Sequence, residues 1–239
     1  MTEIVAILNA GFRVAHGDRI VLIDPLLTPS ASLPVAPQFQ ADRIDKADLI
    51  LVTHAHWDHL DAEGILAVAT RTGAAIAGPA AVMKRLHGRL PAAQAIELEP
   101  AEGQRPPASV AVDVRGIRIT AFRTYHSRGH NSCLLEIPGQ NGGKPLRLFD
   151  DGDNEDTRPL DLAAIGPIDV LLLGGPWQGS AWAEFVDRLR PGRWLLMHLT
   201  AEELDAHAAG RYLPDLCDRV PRPDGLVALR PSQALSFRL

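Results

Sequence analysis

Thr53-His-Ala-His-Trp-Asp-His-Leu-Asp61 places three histidines and an aspartate within six residues, from His54 to His59. The stretch follows the apolar run Asp48-Leu-Ile-Leu-Val-Thr53, which reads as a buried strand. It precedes residues 62–72, where Ile65, Leu66 and Ala69 recur at helical spacing. Strand, loop and helix in that order form the βα unit of layered α/β folds. On a short extended segment the alternating His54 and His56 can both reach one ion, while Asp58 and His59, one turn further on, can reach a second. Imidazole together with carboxylate is a donor set for Zn, Mn or Fe rather than for Ca or Mg alone. The competing reading, a solvated polar loop with incidental histidines, does not account for four donors at this density.

Outward from the motif, the first residues alternate short apolar runs with turns: Ile4 to Leu8, Phe12 to Ala15, then Arg19 to Asp24 after His16-Gly17-Asp18. Residues 25–46 are rich in Pro, Ser and Gln without a period and read as a long loop beside the motif. Beyond the motif, strands are expected at Ala75 to Ala77, Ala95 to Leu98, Val110 to Val114, Arg118 to Tyr125, Cys133 to Ile137, Leu146 to Phe149, Ile168 to Leu173, Trp194 to Met197 and Gly225 to Leu229. Helices are expected at Ala80 to His87, Ser180 to Leu189 and Ala201 to Ala209. No repeat, charge block or linker divides the chain, so residues 1–239 read as a single α/β domain, a sheet sandwich covered by helices.

Composition narrows the function. The chain has 239 residues, 46% of them hydrophobic, with 24 Lys+Arg against 29 Asp+Glu and a net charge of −5. That excludes disorder and gives no basic footprint for extended nucleic-acid binding. No apolar run approaches the roughly 20 residues a bilayer requires, and Glu3 stands where a signal peptide carries positive charge, so a cytoplasmic location is expected. Cys133 and Cys217 are too few for a disulfide scaffold and read as free thiols.

Further histidines and aspartates extend the motif. Ile119-Thr-Ala-Phe-Arg-Thr-Tyr-His126 ends a strand in His126, Phe149-Asp-Asp-Gly-Asp153 supplies Gly152-Asp153, and Trp194-Leu-Leu-Met-His198 ends a strand in His198. With His-x-His-x-Asp-His at residues 54–59, the chain resembles the metallo-β-lactamase-fold hydrolase superfamily. The upstream Val21-Leu-Ile-Asp-Pro25 and the pairing of His126 with Asn131 look like its L-ascorbate-6-phosphate lactonase-like and N-acyl-phosphatidylethanolamine phospholipase D-like branch, which is functionally mixed.

The resemblance implies a four-layer αββα sandwich and two divalent transition-metal ions, Zn first, with Mn or Fe as alternatives. It implies that His54, His56 and His126 hold one ion, that Asp58, His59 and His198 hold the other, and that Asp153 bridges them. The antibiotic-hydrolysing branch places a Cys near the bridging position, where this chain has Asp153, so β-lactams are not the expected substrate. The oxygen-reducing di-iron branch replaces the second His of the motif with Glu, and His56 is retained here. The extra helical domain of glyoxalase-type enzymes and the insertions of RNA-cleaving branches do not fit the residues between and after these ligands.

Two ions sharing Asp153 would lower the pKa of a bridging water and stabilise a developing oxyanion, which makes a hydrolase without a Ser or Cys nucleophile. Asp58, Asp153 and His130 are the expected catalytic side chains. His130 reads as a proton shuttle or substrate-facing residue, as a polar loop residue, or as a ligand in place of His126. Asp24 either orients a ligand histidine or ends a strand. Trp57 reads as packing at the site wall, with substrate stacking as the second reading. His16, His87 and His207 read as surface residues. The run from Asp150 to Asp156 reads as unusually acidic, which would repel an anionic substrate unless metal ions neutralise it.

The expected substrate is a small ester, lactone or phosphodiester, neutral or singly anionic. It would enter between the 25–46 loop and residues 174–177, against Leu26, Leu27, Leu33, Val35, Phe39 and Trp177, with Arg43 and Lys46 as the cations. A nuclease or nucleotide phosphodiesterase and a non-catalytic metal-binding sensor are the alternatives. The oligomeric state is not legible in the sequence.

Overall fold

The computed structural model describes residues 1–29, 36–101, 103–106, 108–127, 129–174 and 181–239. Its strands fall into two groups along the chain. β1 (Thr2–Ala6), β2 (Phe12–His16), β3 (Arg19–Ile23), β4 (Leu49–Leu51), β5 (Ala75–Gly78) and β6 (Ala95–Glu97) build one sheet. β7 (Ser109–Val114), β8 (Ile117–Arg123), β9 (Asn131–Ile137), β10 (Leu146–Asp150), β11 (Val170–Leu173), β12 (Arg193–Leu196) and β13 (Leu226–Val227) build the other. β14 (Ala234–Phe237) then returns to the first sheet, antiparallel to β1. In each sheet an antiparallel portion, β1 to β3 or β7 to β10, continues into a parallel portion, β3 to β6 or β10 to β13.

The apolar runs are continuous because the central strands are covered on both faces. In β4, Leu49 and Leu51 enter the core between the sheets, with Val14, Val21, Ile119, Leu135, Leu148 and Leu172, while Ile50 faces the opposite way. There it meets Ile65, Val68 and Ala69 of α1 (Ala62–Thr72) and Val82 and Leu86 of α2 (Ala80–Leu86). On the outer face of the second sheet, Phe149, Leu171 and Trp194 pack against Ile165 of α3 (Leu162–Ile165) and against Trp182, Phe185, Val186 and Leu189 of α4 (Trp182–Leu189). The result is the expected α/β sandwich of four layers. α5 (Ala201–Ala208) follows β12 and opens with a capping box between Thr200 and Glu203.

The bounds of α1 match the expected 62–72 because both ends are capped. The Asp61 carboxylate accepts from Gly64 N–H, and Gly73 closes the helix at φ 72°. Asp61 also accepts from the N–H groups of Leu27 and Thr28, which ties the start of the 25–46 loop to the end of the motif.

That loop corrects an expectation. Leu26, Leu27 and Phe39 are buried, Leu27 and Phe39 in the core beneath α1, so they do not line a substrate pocket. Two single 3-10 turns, Pro37–Phe39 and Ala41–Arg43, lie within the loop. Leu33, Val35 and Trp177 lie outside the described residues. His16 is also corrected: it is buried, bonding Thr2 Oγ1 at 2.8 Å and the Lys144 carbonyl at 3.0 Å, where a surface residue was expected. β14 and the four-residue α3 were not expected. Among the described residues no helix is long and apolar enough to cross a membrane.

Candidate metal centre

The donors gather at one end of the sandwich, on loops that leave the carboxyl ends of β4, β8, β10 and β12. Open α/β sheets bind ligands at such strand ends. His54, His56, His126 and Asp153 form one group, and Asp58, His59 and His198 another, with the donor atoms of each group within 4.8 Å of one another. All seven expected ligand positions are therefore brought together, the four of the motif loop with three, His126, Asp153 and His198, from distant parts of the sequence.

Asp153 lies between the groups. Its Oδ2 is 3.8 Å from His54 Nε2, 3.7 Å from His126 Nε2 and 3.2 Å from His59 Nε2, and its Oδ1 is 2.8 Å from His198 Nε2. The last contact is close but not aligned as a hydrogen bond. His54 Nε2, His59 Nε2, His198 Nε2 and Asp153 Oδ1 are all buried with no hydrogen-bond partner. Four orphaned buried donors around one point carry a desolvation cost that protein groups do not offset. Nitrogen and carboxylate donors that face each other without bonding fit a divalent transition metal.

The opposite ring nitrogens are held by the protein, which fixes the tautomers. His59 Nδ1 bonds Asp24 Oδ2 at 2.7 Å, and His126 Nδ1 bonds Glu155 Oε1 at 2.9 Å. His54 Nδ1 is 3.0 Å from Thr53 Oγ1, which itself donates to Asp24 Oδ2 at 2.6 Å. Asp24 thus supports a histidine of each group, one directly and one through Thr53. Asp24 thereby carries out the ligand-orienting duty that its sequence position suggests, whereas Glu155 gives no such sign within its acidic run. His56 is the exception in orientation: its Nδ1 is the nitrogen that faces His126 Nε2, 3.2 Å away.

Charge follows from this packing. Burial, then the neighbouring His59 and His130, drives His54 well below the ordinary histidine range. Burial also disfavours the charged form of His59, but the Asp24 and Asp153 carboxylates override it and hold the ring up at about 10. Burial would raise Asp153, yet His198 and His59 hold it well below the usual carboxylate range. His59 is thereby held as an imidazolium between the Asp24 and Asp153 carboxylates. The adjacent acidic run is less anionic than it reads. Burial lifts Asp151 to about 7 and, with Asp24 nearby, lifts Asp150 well above its usual value, while Arg158 pairs with Asp156.

His130 has a different place from those expected. It is 1% exposed, and its Nε2 accepts from the Asp153 N–H at 2.8 Å. Nδ1 must then carry the proton and donate to Thr124 Oγ1 at 2.7 Å. Burial, reinforced by His126, lowers its pKa to about 3, so the ring is neutral and neither nitrogen is left for a substrate or a metal. In place of a shuttle, a polar loop residue or a substitute ligand, the geometry makes it a prop beneath Asp153. Gly152 is required there: it has φ 56°, and a Cβ would lie 2.6 Å from His130 Nε2. His130→Ala is expected to lower metal affinity roughly 10- to 100-fold, the usual effect of losing an outer partner, measured as metal retained against a buffered chelator. Full metal retention with slower turnover would restore the shuttle.

Trp57 is 72% exposed and does not pack at the site wall as expected, and Tyr125, next to His126, is 47% exposed. A recess of about 250 Å³ opens beside His126, lined by Thr124, Tyr125, Ser127 and Gly129 among others.

Comparison with known proteins agrees with this architecture. The model of the family described as a beta-lactamase superfamily domain matches residues 19–207. A metal-dependent hydrolase of Thermococcus onnurineus is 28% identical over 204 residues, covering 80% of this chain and 81% of that protein. A metallo hydrolase from Ignicoccus hospitalis superposes with a TM-score of 0.67 at 18% identity, over 100% of this chain and 99% of that one. A diiron β-hydroxylase from Streptomyces venezuelae gives 0.65 at 17% identity, over 100% of this chain and 54% of that one. At such identities the superpositions establish the fold alone.

Proposed function

The chain belongs to the beta-lactamase superfamily domain family, and from that membership we propose that residues 1–239 form one domain that is a dinuclear metal-dependent hydrolase of small esters, lactones or phosphodiesters. The observation that carries the reading is Asp153, whose two carboxylate oxygens lie against histidines of both donor groups. His54, His56 and His126 would hold one ion, Asp58, His59 and His198 the other, and Asp153 both, with Zn first and Mn or Fe as alternatives. When bound, such a pair supplies Lewis acidity and a water acidic enough to serve as hydroxide near neutral pH.

The chain's own residues set the rest. Buried His54 and His59 form the floor of the centre, whereas exposed His56 and partly exposed His126 mark its open side. Substrate reaches that side over the exposed aromatic rings of Trp57 and Tyr125. A recess of about 250 Å³ suits a small molecule, and aromatic rims favour apolar contact. Among the described residues, Arg123 is the cation lining this recess, and it is occupied by Glu99 and by the Pro100 carbonyl.

The test is metal-loaded protein against lactones, aryl esters, phosphodiesters, β-lactams and oligonucleotides. Turnover is expected on the first three classes. Efficient oligonucleotide cleavage with steep salt dependence would overturn the reading in favour of a nuclease, and two bound ions without turnover on any class would favour a sensor.

A further inference from the structure

We propose that Asn9 is a positioning residue dedicated to the second ion, holding two of that ion's ligands, Asp58 and His198, from opposite sheets. The proposal rests on the two-ion reading above. Asn9 lies in the tight turn between β1 and β2, closed by Ile7 N–H on the Gly11 carbonyl at 2.8 Å and Gly11 N–H on the Leu8 carbonyl at 2.7 Å. Its Nδ2 donates to the Asp58 carbonyl at 3.1 Å and lies 3.4 Å from Asp58 Oδ2. Its own carbonyl accepts from His198 N–H at 3.4 Å. One residue of the first sheet thus touches a ligand on the motif loop and another at the end of β12 in the second sheet.

The backbone supports this role. Asn9 and His198 both have φ 57°, a left-handed conformation that costs a non-glycine residue roughly 1–3 kcal/mol and persists where surrounding contacts enforce it. Each enforces the other through their shared hydrogen bond. The side-chain amide also lies against Asp58 Oδ2, which leaves Oδ1 as that residue's uncommitted oxygen among the described residues. The first group has supports of its own, Thr53 for His54 and Glu155 for His126, and Asn9 bonds none of its members. Loss of the Asn9 amide should therefore loosen one ion and spare the other.

Asn9→Gly separates the amide from the turn: glycine takes φ 57° freely and keeps the carbonyl that accepts from His198. Chelator-stripped full-length protein would be titrated with Co(II), followed by its absorption and by bound metal per chain. Wild type is expected to take up two ions, and Asn9→Gly to weaken one step roughly 10- to 100-fold while the other is unchanged. The affected site is assigned by combination. In a His56→Ala background, Asn9→Gly should weaken the remaining ion, and in a His198→Ala background it should change nothing further. An Asn9→Gly titration that matches wild type, an equal loss of both ions, or a fall in the metal-free melting temperature that accounts for the loss would overturn the proposal. A wild type that holds one ion would overturn the two-ion reading and this proposal together.

Discussion

Asp153→Ala is expected to lower hydrolysis of any accepted ester or diester by roughly three orders of magnitude, beyond the 10- to 100-fold typical of outer partners, and to leave less than two ions per chain. The reason is position. Asp153 sets its carboxylate against the Nε2 atoms of histidines from both groups, and His130 and Gly152 are arranged to fix it there. The fold should survive, because the substitution removes a carboxylate from a loop and no side chain from the core. In metal-free protein His59 loses one of the two carboxylates that keep it charged, so its pKa should fall from about 10. Metal analysis and turnover of Asp153→Ala beside wild type test this. Retention of both ions with most of the activity would remove the bridging role.

Metal removal should produce the second large effect, a fall in melting temperature. At a free concentration about a thousand times its dissociation constant, one ion stabilises the folded state by roughly 4 kcal/mol. For a domain near this size each kcal/mol shifts the midpoint by roughly 2–4 °C, so stripping even one ion should lower it by roughly 8–16 °C. The structure supplies the cause. His54 and His59 stand with ring centroids 4.1 Å apart and His56 and His126 4.9 Å apart, and His54 Nε2, His59 Nε2, His198 Nε2 and Asp153 Oδ1 are buried without a hydrogen-bond partner, which a bound ion would supply. Thermal scans at fixed free metal, before and after chelation, measure the shift. A midpoint indifferent to metal would mean that the cluster does not hold an ion tightly.

The parts of this molecule that were legible in sequence are those with local causes. α1 could be read because its cap, apolar stripe and terminal glycine are contiguous, and the covered strands could be read because burial on both faces writes an unbroken apolar run. The motif ligands were legible from their spacing, and the distant ones, His126, Asp153 and His198, only through family resemblance. What stayed hidden was set by tertiary contact. Asn9 reads as an ordinary turn residue and Glu155 as one acid among several, because neither carries a sign of the histidine or aspartate it meets in space. His16 reads as a polar turn, yet its partner carbonyl is on Lys144, 128 positions away. His130 sits in a polar segment whose composition says nothing of burial. β14 shows only Leu235 and Phe237 in alternation, too weak a pattern to separate from a loop, and its pairing with β1 decides the matter.

That pairing bears on how the chain is made. β1 leaves the ribosome long before its outer partner, Ala234–Phe237. Until Ala234–Phe237 emerges, β1 therefore presents an open edge, with buried-type residues such as Ile4 on its face, and such edges recruit other strands. Nascent first sheets on neighbouring ribosomes of one message would be especially exposed to one another, since identical edges match in register. The arrangement favours a late closing step, in which both sheets assemble and the returning strand seals the first, over stepwise completion from the amino end.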